Sequence, residues 1–369
     1  MSSDPRDQAR PVRAGEELDL IALEPFLATH IDAAGDALGK DARLEVEQFP
    51  GGYSNLTYLL RLGDLELVLR RPPVGSKVAT AHDMGREFRV LSALAPIYPL
   101  APRPLAYDEE GEVLGMPFYV MERRRGVILR RGVPAGAAFD RRVARGLSEA
   151  FVEQLAAFHR LDWREAGLGD LGRPEGYAQR QVGGWLKRYE AARTDDHGAL
   201  DEVIRWLQQR LEAGEVEREG EAVVTLVHND YKYDNLVLDP SDLTNILALL
   251  DWEMCTIGEA RMDLGNSLAY WADSEDPAPW RDNAFGPTAA TGSLRRRELA
   301  ERYGELTGID LGELVFYYVF GLFRLAVIGQ QIYYRYRQGL TKDRRFAALG
   351  DLVGLCGMIA ARALERDQI

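Results

Sequence analysis

Residues 223–253 read VVTLVHNDYKYDNLVLDPSDLTNILALLDWE, three short apolar runs bracketing two polar clusters, set inside a stretch whose periodicity is otherwise helical. Runs this short read as strands, and they leave their polar neighbours at strand ends, where a site is expected. An all-helical bundle does not accommodate such an island.

The remainder of the chain sorts around it. From Arg43 to Arg71 the sequence RLEVEQFPGGYSNLTYLLRLGDLELVLRR reads as three strands joined by turns at Gly51-Gly52 and Gly63-Asp64. After the Pro72-Pro73 breaker, Met84, Phe88, Val90, Leu91 and Leu94 recur at near-helical spacing, which predicts an amphipathic helix over 81–95 that also carries Glu87. Two further strands are expected around 103–107 and 117–122, and the pattern is then almost wholly helical, beginning with SEAFVEQLAAFHRLD. The expectation is an α+β chain with a flexible N-terminal tail over 1–20, a small antiparallel-sheet lobe with one helix over 21–122, and a larger, mostly helical lobe over 123–369.

Charge and composition narrow the function. Forty-five basic against fifty-eight acidic residues leave a net charge of −13, which argues against nucleic acid or an anionic membrane as the bulk partner. Cys255 and Cys356 are too few and too far apart for a disulfide framework, so a reducing, cytoplasmic setting fits. The charged N-terminus lacks the apolar core of a secretory signal. The most apolar stretch, 314–329, contains Arg324 and reads as a buried helix rather than a bilayer span.

Four features carry chemistry. His228 to Asn235, HNDYKYDN, spells H-x-D-x-x-x-x-N between two apolar runs. Phosphoryl transfer explains that spacing: Asp230 can accept the proton of an attacking hydroxyl, Asn235 can reach magnesium on the same loop, and Lys232 can neutralise charge on the transferred group. A polar turn with side-chain to backbone bonds is the plain alternative. Asp251 ends the strand in ILALLDWE and can supply a second magnesium ligand. Asp263, at the start of the following helix, reads as a cap and loop-organiser. Gly51 and Gly52 form either a simple hairpin turn or a backbone cradle for nucleotide phosphates, with Ser54 and Asn55 as added donors. Alternation along LELVLRR puts Arg70 rather than Arg71 forward as the phosphate-binding cation, with Glu87 as its partner; a surface ion pair is the alternative.

In this order the motifs HNDYKYDN, LLDWE and GGYSNLTYLLR resemble the aminoglycoside phosphotransferase superfamily, small-molecule relatives of protein kinases that include choline and homoserine kinases. More narrowly, LVLRRPP, REFRVLSAL, PFYVMERRRG and LDWEMCTIGEARMDLG are similar to kinase-like domains found alone in bacteria or fused to acyl-CoA dehydrogenases. The resemblance implies a bilobal protein-kinase-like fold, Asp230 as catalytic aspartate, Asn235 and Asp251 as magnesium ligands, and Lys232 at the terminal phosphate. It implies Glu87 as the helix glutamate and Met121 to Arg124 as the hinge, where the Glu122 carbonyl and the Arg124 N–H meet the adenine edge of ATP or GTP. Two positions depart from the family: Arg70 stands where lysine is usual, and Asn229 replaces a common glycine. His159 and His228 read as structural histidines bonded to loop backbone.

The expected function is a small-molecule kinase acting on a hydroxylated metabolite, as a monomer or homodimer without nucleic-acid or membrane partners. Arg70 motivates an alternative, a pseudokinase-like module that binds nucleotide or CoA without turnover. Arg123, Arg124, Arg125, Arg130 and Arg131 concentrate positive charge after the hinge. Either they are exposed loop arginines with no role or, as the resemblance to dehydrogenase-fused domains also implies, they receive an anionic acceptor such as a hydroxyacyl-CoA rather than a polycationic aminoglycoside. Aromatic residues 316–336 are expected to serve mostly as lobe core, with an acceptor-pocket wall as the other reading, and the resemblance implies Trp185 as a further candidate for lining that pocket.

Overall fold

A computed structural model of the chain describes residues 7–40, 42–50, 55–73, 83–130, 132–216, 222–341 and 344–369. In chain order, helices α1 (Leu20–His30) and α2 (Asp32–Leu38) precede strands β1 (Leu44–Gln48), β2 (Leu56–Leu62) and β3 (Leu65–Arg71), helix α3 (Met84–Leu94), and strands β4 (Pro104–Asp108) and β5 (Phe118–Glu122). Helices α4 (Arg141–His159), α5 (Tyr177–Ala192) and α6 (Gly198–Glu212) follow. Next come four short strands, β6 (Val224–Val227), β7 (Leu236–Leu238), β8 (Ile246–Leu249) and β9 (Thr256–Glu259). Helices α7 (Ala260–Ala269), α8 (Ala278–Asp282), α9 (Arg296–Thr307), α10 (Leu314–Arg337) and α11 (Leu349–Arg366) complete the chain.

The chain divides into two compact units, residues 1–128 with 236–255, and residues 129–235 with 256–369. The first is built on an antiparallel sheet of order β1-β2-β3-β5-β4. The β2–β3 hairpin turns on Gly63-Asp64, where Gly63 adopts φ +59°, a conformation that suits glycine in a two-residue turn. One sheet face and the two N-terminal helices bury Leu23, Leu27, Tyr58, Leu60, Leu67, Leu69, Phe118 and Val120 as a common core. Helix α3 starts where the Asp83 side chain accepts from the Arg86 N–H at 2.8 Å, and it buries Met84, Val90, Leu91 and Leu94 together with Glu87.

Two boundaries differ from the sequence expectation. Residues 7–19 do not behave as a tail. Arg10 and Gln48 exchange backbone hydrogen bonds at 2.9 and 2.7 Å, the Tyr58 hydroxyl and Arg71 both donate to the Glu16 carbonyl at 2.7 Å, and Leu18 is buried. The unpaired edge of β1 recruits this segment, and Arg71 is absorbed in holding it. The hairpin β7–β8 belongs with the first unit rather than with the helical region. Val127 and Leu238 exchange backbone bonds at 2.9 and 2.8 Å, Leu249 N–H donates to the Leu100 carbonyl at 2.8 Å, and Ile128, Val237 and Ala248 pack together.

In the second unit α10 is the central helix, with α5, α7 and α11 packed around it and Phe316 to Val327 buried. By length and apolarity it could cross a bilayer, but most of it is buried within the protein. Helices α7 and α10 run in the same direction at very close approach: a methyl on Gly321 would stand 2.5 Å from the Gly265 carbonyl oxygen and 3.0 Å from the Ala269 side chain.

Candidate active site

The loop after β6 is built by alternation. Tyr231 and Tyr233 turn inward, with ring centroids 4.5 and 5.3 Å from Phe151, and the Tyr231 hydroxyl donates to the Phe151 carbonyl at 2.8 Å. Asp230 and Lys232 are thereby left on the other side of the loop. Lys232 Nζ donates to both Asp230 oxygens at 2.9 and 2.8 Å, Asn235 Nδ2 to Oδ2 at 2.9 Å, and the Tyr270 hydroxyl to Oδ1 at 2.8 Å. Asn235 also donates to the Asp230 carbonyl at 2.8 Å, which closes the five-residue loop. Burial opposes the Asp230 charge, but Lys232, then Arg324 and the Tyr270 hydroxyl, outweigh it and hold the carboxyl below its usual range. Burial likewise pulls Lys232 down, and Asp230 more than compensates. Tyr270, buried and facing Asp230, is pushed up to about 12.

Asp263 fixes the backbone that carries this carboxylate. Its oxygens accept from the His228 and Asn229 N–H groups at 2.7 Å each, and His159 Nε2 lies 3.1 Å away. The cap of α7 is Glu259, not Asp263, which lies one turn inside the helix and serves the loop backbone and His159. His159 bonds to Asp263 and, at 2.6 Å, to the Tyr303 hydroxyl rather than to loop backbone. His228 does meet the loop, its Nδ1 accepting from the Asp230 N–H at 3.2 Å. Asn229 adopts φ +63°, which explains why glycine is common there. Asparagine is among the few other residues that tolerate this region, and its Oδ1 accepts from Tyr177 and Asn266 at 3.2 and 3.3 Å.

In the first unit a second cluster forms around Arg70. Its Nη1 donates to Glu87 Oε1 at 2.5 Å and its Nη2 to Asp251 Oδ1 at 3.1 Å. The Trp252 N–H donates to the same Glu87 oxygen at 3.3 Å, and Asn55 Nδ2 donates to Glu253 at 2.9 Å. Asp251 adopts φ +67°, a tight reversal at the strand end that aspartate accepts more readily than most residues. Burial opposes the Arg70 charge, yet Glu87, Tyr119 and Asp251 hold it firmly protonated. Glu87 is raised by burial, Arg70 offsetting only part of that, and the Asp251 charge adds to it. On β5, Met121 pairs with Val68 and Glu122 with Leu67. The Glu122 carboxylate accepts from the Arg103 N–H and from Arg124 Nε, both at 2.8 Å.

The sequence model of the phosphotransferase enzyme family matches residues 45–299. The chain belongs to this family. Among curated relatives of this phosphotransferase, mouse acyl-CoA dehydrogenase family member 11 is 35% identical over 345 residues, which cover 92% of this chain and 42% of the mouse protein. The chain spans less than half the length of the mammalian relatives it matches. A solved candidate aminoglycoside phosphotransferase from Ralstonia eutropha JMP134 superposes with a TM-score of 0.77 at 29% identity, covering 95% of this chain and 99% of its own. A thermostable mutant of the aminoglycoside phosphotransferase APH(4)-Ia, solved with AMP-PNP and hygromycin B, shares the fold at TM-score 0.57 and 16% identity, covering 93% and 98% of the two chains. The α+β, kinase-like fold of the family is therefore established for this chain.

Two groups of the residues singled out in the sequence come together: Asp230, Lys232 and Asn235 in the second unit, and Arg70, Glu87 and Asp251 in the first. Asn55 joins the second group through Glu253. Gly51, Gly52 and Ser54 lie outside the described residues, as does Arg131. Three of the arginines after the hinge have partners within the protein. Arg123 lies on the Phe49 ring at 4.6 Å, Arg124 pairs with Glu122 at 2.6 Å, and Arg125 pairs with Glu66 at 2.7 Å. Sequence reasoning missed Tyr270 and Glu253, and it used Arg324 only as an argument against a membrane span. The charge inside an apolar run was the available signal for Arg324.

Proposed function

We propose that this phosphotransferase moves the γ-phosphate of ATP or GTP to a hydroxyl of a small metabolite, with a hydroxyacyl-CoA as the favoured acceptor class. The single observation that carries the reading is the Asp230 carboxylate, kept ionised and aimed by Lys232, Asn235 and Tyr270 on a loop pinned by Asp263. In this reading Asp230 orients the acceptor hydroxyl and takes its proton as the new P–O bond forms and the bond to the leaving nucleoside diphosphate breaks. Lys232 offsets charge on the transferred group; Arg70 and Asn55, with Gly51, Gly52 and Ser54 of the sequence motif, are the candidates for the donor phosphates. Met121, Glu122 and Arg124 form the purine edge.

The donor set suits magnesium. Asn235 commits its amide nitrogen to Asp230, so its oxygen is the atom left for a cation, and Asp251 keeps one oxygen off Arg70 with its side chain 35% exposed. Each of Asn235 and Asp251 thus offers an oxygen suited to magnesium, an ion that when bound neutralises charge on the phosphates. Support for ATP comes from the fold shared with a protein solved with AMP-PNP. Support for an acyl-CoA acceptor comes from the relatives named as acyl-CoA dehydrogenases.

Asp230→Asn tests the reading. It should lower turnover by roughly 10²–10⁴-fold while nucleotide binding, followed calorimetrically, stays within about twofold of wild type. Unchanged turnover would sink the proposal. So would faster turnover of kanamycin-type substrates than of hydroxyacyl-CoA compounds. The Arg70–Asp251 bond favours a second reading, a nucleotide- or CoA-binding module in which the arginine occupies the metal-binding carboxylate. That reading predicts binding with no phosphate transfer in either protein.

A further inference from the structure

Asp263 is fully buried, and three donors hold its charge. Two of them, the His228 and Asn229 N–H groups, belong to the Asp230 loop; the third is the ring of His159, the last residue of α4. An ionised carboxylate only accepts hydrogen bonds, so the ring proton facing it stands on His159 Nε2. That leaves Nδ1 for the Tyr303 hydroxyl of α9, at 2.6 Å. The phenol is fully buried, and its hydroxyl makes no other hydrogen bond among the described residues. Donation from Tyr303 therefore selects the Nε2–H form of the ring, since the bond made by one imidazole nitrogen decides which of the two carries the proton.

The main chain of His159 is held as well: the Thr225 hydroxyl of β6 donates to its carbonyl. Strand β6 ends at Val227, directly before His228. The Tyr303 ring meets the imidazole edge-on, with centroids 5.6 Å apart. A chain of bonds thus runs from Tyr303 through His159 and Asp263 to the two residues before Asp230, and every link lies in the second unit. It ends on a backbone that needs holding. Asn229 has φ +63°, a conformation open to few residues other than glycine, and the direction of the neighbouring Asp230 side chain follows from it. Packing gives no reason for the phenol oxygen, because a phenylalanine ring would fill the same space against His159.

We propose that Tyr303 is a positioning residue for phosphoryl transfer: acting through His159 and Asp263, its hydroxyl holds the backbone at 228–229 and so the aim of Asp230. This rests on the role given to Asp230 under the proposed function, and it extends the site to a helix that supplies none of the reacting groups. Without the hydroxyl, Nδ1 is a buried acceptor with no donor, and it is relieved only by water or by taking up the ring proton itself. Moving that proton to Nδ1 turns a lone pair on Nε2 toward the Asp263 carboxylate, which then loses both a donor and a constraint on its orientation.

Tyr303→Phe in the full-length protein removes the oxygen and keeps the ring. With ATP and a hydroxyacyl-CoA as substrates, it should lower kcat about 3- to 10-fold and leave both KM values within about twofold of wild type. The loss should pass through Asp263: in an Asp263→Asn background the same change should cost less than about twofold in kcat. Hydrogen exchange at the His228 and Asn229 amides should quicken more than in the buried helix α10. A kcat equal to that of wild type, additive losses in the double variant, or equal quickening of loop and α10 amides would each overturn the proposal. If the double variant does not fold, Tyr303→Phe and its amide exchange carry the decision. The two readings fail separately. Should Asp230→Asn abolish transfer while Tyr303→Phe leaves kcat untouched, the positioning role falls and the proposed function stands. Should the wild type transfer no phosphate, the proposed function falls, and the amide exchange decides by itself whether Tyr303 holds the loop.

Discussion

The two charged clusters are built on opposite principles. Around Asp230 every carboxylate oxygen receives two donors, and the backbone on its N-terminal side is locked by Asp263. Around Arg70, one guanidinium serves two carboxylates, Glu87 is raised rather than lowered, and the buried Nε of Arg70 has no hydrogen-bond partner among the described residues. A saturated site is organised before its ligand arrives. A cluster short of positive charge and holding an unused donor is less completely paired. The difference separates a carboxylate held in one geometry from a cluster whose members have more freedom to rearrange.

The sharpest way to break this contrast is at Asp263. Asp263→Ala leaves two buried N–H groups and His159 without their acceptor, and we expect a loss of about 3–5 kcal/mol in urea unfolding. The stability that Asp263 supplies should also depend on pH. Its pKa is depressed in the folded protein, where burial is outweighed by the His159 bond, the two histidine fields and the His228 N–H. A carboxyl with a lowered folded pKa contributes in full above its unfolded value, about 3.9, and loses that contribution as pH falls through the folded value. The stability gap between wild type and Asp263→Asn should therefore shrink below about pH 4, and a gap constant from pH 6 to pH 3 would contradict the assignment.

Arg70→Met should do less damage despite stranding two carboxylates. Glu87 is already raised and can take a proton, which limits the cost to about 2 kcal/mol. A loss as large as that of Asp263→Ala would mean that the Arg70 cluster is as rigid as the other. The smallest effect is expected from Tyr270→Phe, about 1 kcal/mol of stability. Because the hydroxyl helps to lower the Asp230 pKa, its removal should move the acid limb of the kcat/KM profile to higher pH. A shift to lower pH would refute the role given to Tyr270.

What could be read in the sequence follows from how far apart the cooperating residues lie. Asp230 and Asn235 act across five residues of one loop, and Arg70 was distinguished from Arg71 by strand alternation alone; the structure sends Arg70 to Glu87 and Arg71 to the Glu16 carbonyl. The strands of the first unit and the buried helix expected over 314–329 were legible for the same reason, since each rests on local periodicity, whereas the order in which the strands pair does not. Tyr270 reaches Asp230 from forty residues away through the packing of α7, and no local pattern marks it. The placement of β7–β8 with the first unit depends on the backbone exchange between Val127 and Leu238, a choice among strand edges that hydrophobicity does not encode. The docking of residues 7–19 escaped notice because polar, charged segments pair through backbone groups as readily as apolar ones.

The glycine contact between α7 and α10 sets more than a distance between two helices. With backbone against backbone at Gly265 and Gly321, no side chain is available to flex or rotate, so the height of residue 324 relative to residue 270 is fixed as if by a machined spacer. Sliding one helix along the other is therefore not open to this protein, and the two helices behave as one rigid piece.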